Sequence, residues 1–317
     1  MPRTHTVSDP SRLLITGANG HLGRRLIARL APQTAVTAVV RSNAARRSLE
    51  PTPAGVTVVE LDYRDSTALS AAAVDCTACV HLVGILKESA RSRYVDAHET
   101  ATRAIVAAAR ARRLARIVYV SILGADVDSP NAALASKGRA ERILFDSDVP
   151  ATVLRVPMVI GEGDYAARAL RHRAFGHIAW LVRGASLEQP IYAGDVVDAI
   201  VAALANRDGA HHAFDLAGPE SLTRRALVAR AAALAGRRVQ CVSLPLAAAV
   251  AFARLLERLL ANPPVTSAML GVLDHDDCID SRTAAAELGI GLTGVDEMLR
   301  RCVVSPNGAI DSRGNER

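Results

Sequence analysis

The positions best arranged for chemistry in this chain are ones where side chains are missing. In Thr16-Gly17-Ala18-Asn19-Gly20-His21-Leu22-Gly23 three glycines stand three residues apart, directly after the apolar run Leu13-Leu14-Ile15. Leu22, Leu26, Ile27 and Leu30 then recur at helical spacing, so the segment reads strand, turn, helix. Gly17 can leave the strand at angles a Cβ forbids, Gly20 lets main chain approach a diphosphate, and Gly23 lets the helix lie close to the strand. A helix opening over Asn19 to Leu22 presents its unpaired N–H groups and the positive end of its dipole to the anion. The implied ligand is a dinucleotide, contacted in this corner by Gly17, Asn19, Gly20, His21, Leu22 and Gly23.

The second strand, Ala35 to Val40, ends at Arg41-Ser42. Proteins that prefer NAD place an acid about here, roughly 20 residues past the glycines, to hold the ribose 2′-hydroxyl. This chain has none. Arg41, with Arg46 and Arg47 behind it, suits a 2′-phosphate instead, so the expected cofactor is NADP(H) in preference to NAD(H). Of 38 basic residues only Lys87 and Lys137 are lysines. A lysine can lose its proton when its pKa falls and an arginine cannot, which singles out Lys137.

The elements that must position these groups are legible in order. Further strands are predicted over Val56 to Leu61, Cys79 to Val83, Ile117 to Ser121 and Val149 to Pro157. Asp65 is placed to cap the helix after the third strand. Leu82, Val83 and Gly84 fall at the carboxyl end of the fourth strand, the ligand-facing edge of a doubly wound sheet, with Gly84 against the adenosine ribose. His81, within that strand, reads as a packed core histidine. A long helix is predicted over Arg93 to Arg113, with Val95, Ile105, Val106 and Ala109 inward. Downstream come a basic helix over Ala166 to Ala174, a strand within His211 to Gly218 and a helix opened by Thr223. An amphipathic helix over Pro245 to Leu260 is stopped at Asn262-Pro263-Pro264.

The expected fold class is therefore α/β, a Rossmann-type doubly wound parallel sheet with a smaller C-terminal α/β substrate lobe. The expected organisation is a flexible N-terminus over residues 1–11, a dinucleotide-binding domain over 12–160 and a substrate lobe over 161–303. Within the lobe, 190–217 is expected to pack back on the first domain, and 304–317 reads as a disordered tail.

Composition bounds the function. The chain is 50% hydrophobic but 3% aromatic, so its core must be built from Ala, Val, Leu and Ile. The run around Leu244 to Ala253 is too short to span a bilayer, and MPRTHTVSDPSR holds no apolar export segment. A cytoplasmic location is expected. The net charge of +6 is scattered without an aromatic platform, which argues against a nucleic-acid partner. Cys76, Cys79, Cys241, Cys278 and Cys302 show no disulfide or zinc spacing and read as buried small hydrophobes. His211-His212 lacks neighbouring ligands, so no metal site is expected.

With its preceding threonine, the Gly-x-x-Gly-x-x-Gly spacing resembles the fingerprint of the extended and atypical short-chain dehydrogenase/reductases, including proteins of the NAD-dependent epimerase/dehydratase type. The resemblance implies that Asp62, beside Tyr63, accepts a hydrogen bond from the adenine amino group. It implies that Ser121, in SILGAD, hydrogen-bonds a substrate oxygen, and that Pro157 to Val159, in LRVPMVIGEGD, contact the nicotinamide carboxamide. His98 stands where the family's long helix carries Asn. The family's Tyr-x-x-x-Lys pair is broken, with Ala133 in the Tyr position and Lys137 kept. Lys137 is then left to bind the nicotinamide ribose or to act itself as the acid/base, with Ser121 and His98 as the other catalytic candidates. The segment LRVPMVIGEGD also departs from the signature, Ile160 replacing Tyr and Glu162 replacing Pro. Asp195, in the return segment Gln189 to Ile200, is expected to cap a helix.

The order of VHLVGIL, SILGAD, SKGRAER and LDHDDCID looks like the atypical group related to the NADPH-binding accessory subunit of respiratory complex I. Two functions follow from the resemblance. One is a reductase of a small, largely apolar carbonyl or enone-like substrate, whose cleft is walled by Met158, Tyr165, Leu170, Trp180 and Leu181. The other is a non-catalytic NADPH-binding accessory, assembly or redox-sensing protein, as a homo-oligomer or as part of a larger complex.

Overall fold

A computed structural model describes residues 12–304 except 86, 90, 91, 261, 262 and 273. The N-terminal reading for 1–11, the tail reading for 305–317 and Asn262 as part of a helix stop lie outside the described residues. Val304, read as the first residue of the tail, instead ends a π-helical turn over Arg300–Val304.

Six strands alternate with helices through the first half: β1 (Arg12–Thr16), β2 (Val36–Val40), β3 (Val56–Glu60), β4 (Cys76–His81), β5 (Arg116–Ile122) and β6 (Ala151–Val156). Beyond them lie β7 (Val159–Ile160), β8 (Ile178–Val182), β9 (Leu187–Glu188), β10 (Ile191–Tyr192), β11 (His212–Asp215), β12 (Leu222–Thr223) and β13 (Gln240–Leu244). The helices are α1 (His21–Leu30), α2 (Asn43–Arg47), α3 (Ser66–Ala72), α4 (Ala101–Arg112), α5 (Ala132–Phe145), α6 (Tyr165–Phe175), α7 (Ala193–Ala205), α8 (Arg224–Leu234), α9 (Leu246–Leu259), α10 (Ser267–Gly271), α11 (Ser281–Leu288) and α12 (Val295–Leu299).

The main sheet has the order β11-β6-β5-β4-β1-β2-β3 and every pairing in it is parallel. Strand order reverses between β1 and β4, which opens the crevice where such sheets bind ligands. The expected doubly wound fold is present. VTAVV of β2 is buried throughout, as a parallel strand covered on both faces must be. One apolar layer joins Leu26, Ile27 and Leu30 of α1 to Val196, Val197 and Ile200 of α7, and α11 adds Ala284, Ala285 and Leu288 to it. The opposite layer packs Leu69, Ile105 and Leu144 against Ile117 and Tyr119. A third cluster, including Leu170, Leu181, Leu227 and Met298, fills the C-terminal half.

Side chains set several element starts. Asp65 accepts from Thr67 N and Ala68 N, Asn131 from Ala133 N and Leu134 N, and Thr223 from Ala226 N.

Some expectations need correction. The helix expected from Arg93 opens only at Val95, as a π-helical turn over Val95–Thr100, and Val95 points outward at 39% exposure. Asp195 does not cap α7: its carboxylate accepts Thr293 N and Thr293 Oγ1, each at 2.7 Å, because the fold brings the loop between α11 and α12 against it. Cys278 is exposed rather than buried, and Cys241 is half-buried.

Candidate active site

The glycine corner is built as its spacing demands. Gly17 has φ +70°, and a Cβ there would lie 3.0 Å from the Leu82 carbonyl. A Cβ on Gly23 would stand 2.5 Å from Ala18 O, so the absent side chain lets α1 sit on the turn. The first bond back into the helix runs from Arg24 N to Gly20 O at 2.9 Å, leaving the N–H groups of His21, Leu22 and Gly23 without helical acceptors. No acid occupies this first turn, so its positive dipole end is unneutralised.

In front of the turn is a cavity of about 450 Å³ at the β1/β4 crevice. Its walls bring together Gly17, Asn19, Gly20, Arg41, Asp62, Tyr63, Leu82, Val83 and Gly84 from four separate stretches of sequence. Tyr63 is nearly buried and donates to Val39 O at 3.3 Å; burial pushes its phenol up to about 12. Arg41 reaches Ser92 Oγ at 3.5 Å.

Asp62, the expected partner of an adenine amino group, is also bound within its own loop. Arg64 clasps both of its oxygens at 2.6–3.1 Å and holds the carboxyl below its usual range. The cavity also includes Arg64, Ile85, Ser92, Asp96 and Ala97, which sequence reasoning missed. Only Arg64 left a signal, the two-residue offset of a side chain that can fold back on Asp62.

His21, Leu22 and Gly23 lie behind this wall in the first turn of α1. Burial lowers the His21 pKa, opposed by Asp164. Pro157 and Val159 lie at the exit of β6, where Val159 pairs with Ile191. Arg25 of α1 locks the following loop through Glu162 Oε2 at 2.9 Å and Glu162 O at 2.7 Å.

The three catalytic candidates, Ser121, Lys137 and His98, gather on one face of the sheet at its ligand-facing edge. Lys137 Nζ donates to Val120 O at 3.0 Å and lies 4.4 Å from the centre of the Tyr119 ring. Burial lowers its pKa from 10.5 to about 8, with Glu141 opposing. A Cβ on Gly84 would come within 3.5 Å of Lys137 Nζ and 3.7 Å of His98 Nε2, so both groups lie against one glycine of the cavity wall.

His98 is 1% exposed, and its Nε2 accepts Ile85 N at 3.3 Å, which leaves the proton on Nδ1, an atom without a partner. Burial, then the Lys137 charge, pushes the imidazole down to about 3, so it is neutral. Ser121 is 4% exposed and its Oγ has no hydrogen-bond partner. His81 matches its reading as a core histidine, fully buried with Nδ1 2.7 Å from Thr16 Oγ1 and its ring stacked on Tyr119. Unpartnered buried polar atoms are uncommon in folded proteins, and here they include Ser121 Oγ, His98 Nδ1, His81 Nε2 and Tyr119 OH, with the His81 and Tyr119 rings stacked and Ser121 two residues along β5 from Tyr119.

Sequence reasoning also missed His275. Its ring lies 3.9 Å from where a Cβ on Gly124 would stand, beside the exit loop of β5, and its Nε2 pairs with Asp277 Oδ1 at 3.1 Å. That hydrogen bond raises its pKa. The two-residue His-x-Asp spacing in LDHDDCID was the available signal.

The cleft walls need correcting. Leu170 and Leu181 are buried in the core of the C-terminal half, while Tyr165 and Trp180 are 66% and 59% exposed. Alternation along β8 sends Ala179 and Leu181 inward and Ile178 and Trp180 out. Among the described residues, no three His, Cys, Asp or Glu side chains converge as metal ligands.

A parallel doubly wound sheet with a glycine-walled cavity at its switch point defines a Rossmann protein of the dinucleotide-binding class. The chain belongs to the NAD(P)H-binding family, whose model matches residues 17–207. It is 29% identical over 227 residues to the mitochondrial NADH dehydrogenase [ubiquinone] 1 alpha subcomplex subunit 9 of Arabidopsis thaliana, covering 67% of this chain and 55% of that protein. It is 32% identical over 154 residues to the ceramide reductase of Caulobacter vibrioides, covering 47% of each chain. The chain thus spans about half the length of the curated relatives it matches. The Escherichia coli NADPH-dependent quinone oxidoreductase QOR2, solved with NADPH, shares the fold with a TM-score of 0.69 at 24% identity, over 90% of this chain and 98% of that one.

Proposed function

We propose that the protein is an NADPH-dependent oxidoreductase that reduces a carbonyl or conjugated double bond of a small, largely apolar substrate. The residues fit the cofactor: a turn that a Cβ would fill at Gly17 and Gly23, a switch-point cavity, and behind its Gly84 wall the His98 ring with an unpartnered Nδ1. In this reading the N–H groups of Asn19 and of His21 to Gly23, with Gly20, hold the diphosphate, and Arg41 pairs with the 2′-phosphate. Asp62, Tyr63, Leu82, Val83 and Gly84 face the adenosine half, while Pro157, Val159 and Lys137 face the nicotinamide half. When bound, the nicotinamide supplies a hydride to the substrate carbon.

The chain's own groups handle the proton. Ser121 Oγ donates a hydrogen bond to the substrate oxygen. Lys137 Nζ, with a pKa of about 8, carries a proton at neutral pH and lies close enough to neutrality to release it efficiently. His98, neutral and holding its proton at Nδ1, fixes the Ile85 backbone beside Gly84.

The observation that carries this reading is the Lys137 ammonium, its pKa lowered to about 8, held beside His98 against Gly84 of the cavity wall. The test is NADPH consumption with a panel of ketones, enals and quinones, repeated with Lys137→Met. Turnover that Lys137→Met leaves intact overturns the role of Lys137.

A second reading has its own support. Ala133 replaces the phenol by a methyl, and one relative is named as a subunit of a larger NADH dehydrogenase. In it NADPH is a structural ligand and the protein an accessory or redox-sensing component. Tight NADPH binding with no turnover across the panel selects this reading. Five unpaired cysteines suit the reducing cytoplasm under either reading.

A further inference from the structure

Helix α9 is apolar in composition, yet Ala253 is the one buried residue along its 14 positions. Ala248, Phe252, Leu255 and Leu259, spaced four, three and four apart, form a stripe on its exposed side. Phe252 is 61% exposed, Leu255 51% and Leu259 69%. The underside is held in place: the Glu257 carboxylate accepts from Ser267 N at 2.7 Å, and Ala268 O of α10 accepts from Asn131 Nδ2 at 2.8 Å. The stripe therefore projects from a fixed support.

On α9 itself the charges beside the stripe have one sign. Arg254 and Arg258 flank the stripe and are exposed, while Glu257, the only acid in α9, is turned to Ser267. The strand that leads into α9 continues the pattern. Leu244, 37% exposed, and Val242 pair with Val182 and Trp180 of β8, so the outer face of this ribbon carries Ile178 and Trp180 and ends in Val182 and Leu244 next to the start of α9. Trp180 is the only tryptophan in the chain.

We propose that α9 and the adjoining face of the β8–β13 ribbon dock on the surface of an anionic phospholipid bilayer. The stripe enters the acyl boundary, Arg254 and Arg258 pair with lipid phosphates, and Trp180 sits at headgroup level, where tryptophan is favoured. A second copy of this chain fits less well. A two-fold contact between stripes brings Arg254 and Arg258 toward the same residues of the twin, with no acid on that side to offset them. Among the described residues no helix is long and apolar enough to cross a membrane, so this contact is peripheral.

The test uses the full chain with vesicles of phosphatidylcholine alone and of phosphatidylcholine with 30% phosphatidylglycerol, read by flotation and by Trp180 emission. The expected result is flotation with the anionic vesicles and a blue shift of Trp180, both at least tenfold weaker with Arg254→Glu/Arg258→Glu. Phe252→Glu/Leu255→Glu, at exposed positions, keeps the melting temperature and abolishes both signals. Failure of either readout in the parent protein overturns the proposal, as does equal binding to both vesicle types. Sedimentation that shows a dimer lost in Phe252→Glu/Leu255→Glu overturns it in favour of self-association.

Discussion

Replacing Lys137 by Met should stabilise the protein at neutral pH, although it removes the group assigned to proton transfer. The ammonium loses hydration on folding and gains in return a carbonyl, an aromatic face and the distant charge of Glu141. The fall from 10.5 to about 8 corresponds to roughly 3 kcal/mol at about 1.4 kcal/mol per pH unit. Removing the bond to Val120 O returns about 1–2 kcal/mol of this, leaving Lys137→Met more stable by about 1–2 kcal/mol at pH 7.

The pH dependence gives the sharper test. Below about 8 the lysine is protonated in both folded and unfolded chains, and the folded state bears the full penalty. Between about 8 and 10.5 the unfolded chain binds a proton that the folded chain does not, so stability rises with pH over that window. Urea melts of parent and Lys137→Met at pH 6.5 and pH 9.5 isolate this effect, because tyrosines and cysteines titrate alike in both. The advantage of Lys137→Met should fall by about 2 kcal/mol at the higher pH, to zero or slightly below, since about 1.5 pH units of the window have then been crossed. A difference that does not change with pH refutes the burial argument.

Four further outcomes are expected. Gly17→Ala, forced to φ +70° against the Leu82 carbonyl, should lower stability by about 1–3 kcal/mol and NADPH affinity more than tenfold, read by thermal melts and calorimetry. Arg41→Glu should weaken NADPH at least tenfold and NADH far less; equal losses would remove Arg41 from 2′-phosphate recognition. Ser121→Ala should leave folding and NADPH affinity unchanged, since its Oγ has no protein partner, and cut turnover about 100-fold. Asp195→Ala should cost about 1–3 kcal/mol in a urea melt, because it leaves Thr293 N and Oγ1 without their acceptor.

Local physics made much of this molecule readable in advance. A turn whose glycines must avoid specific carbonyls leaves its trace in the sequence, as do buried strands written in Val and Ile and helices opened by Asp65 and Thr223. Readings failed where a partner comes from far along the chain. Asp195 looks like a cap until Thr293, 98 residues away, reaches it. Trp180 looked like a cleft wall because IAWLV is apolar on both faces, and five such residues do not say which face the core covers. The clasp of Arg64 on Asp62 was closer to hand, since an arginine two residues on is within reach of its own loop. His275 shows the opposite case: its neighbour Asp277 is local, but its approach to Gly124 exists only in the folded chain.

Asn131 serves two masters. Its carbonyl oxygen starts the helix that carries Lys137, and its amide grips Ala268 in the hairpin beneath the projecting stripe. One side chain is thus a mechanical rivet between the outer surface and the chemical end of the crevice. The start of α5 and the seating of α10 are therefore fastened by the same residue, without any bond through the sheet.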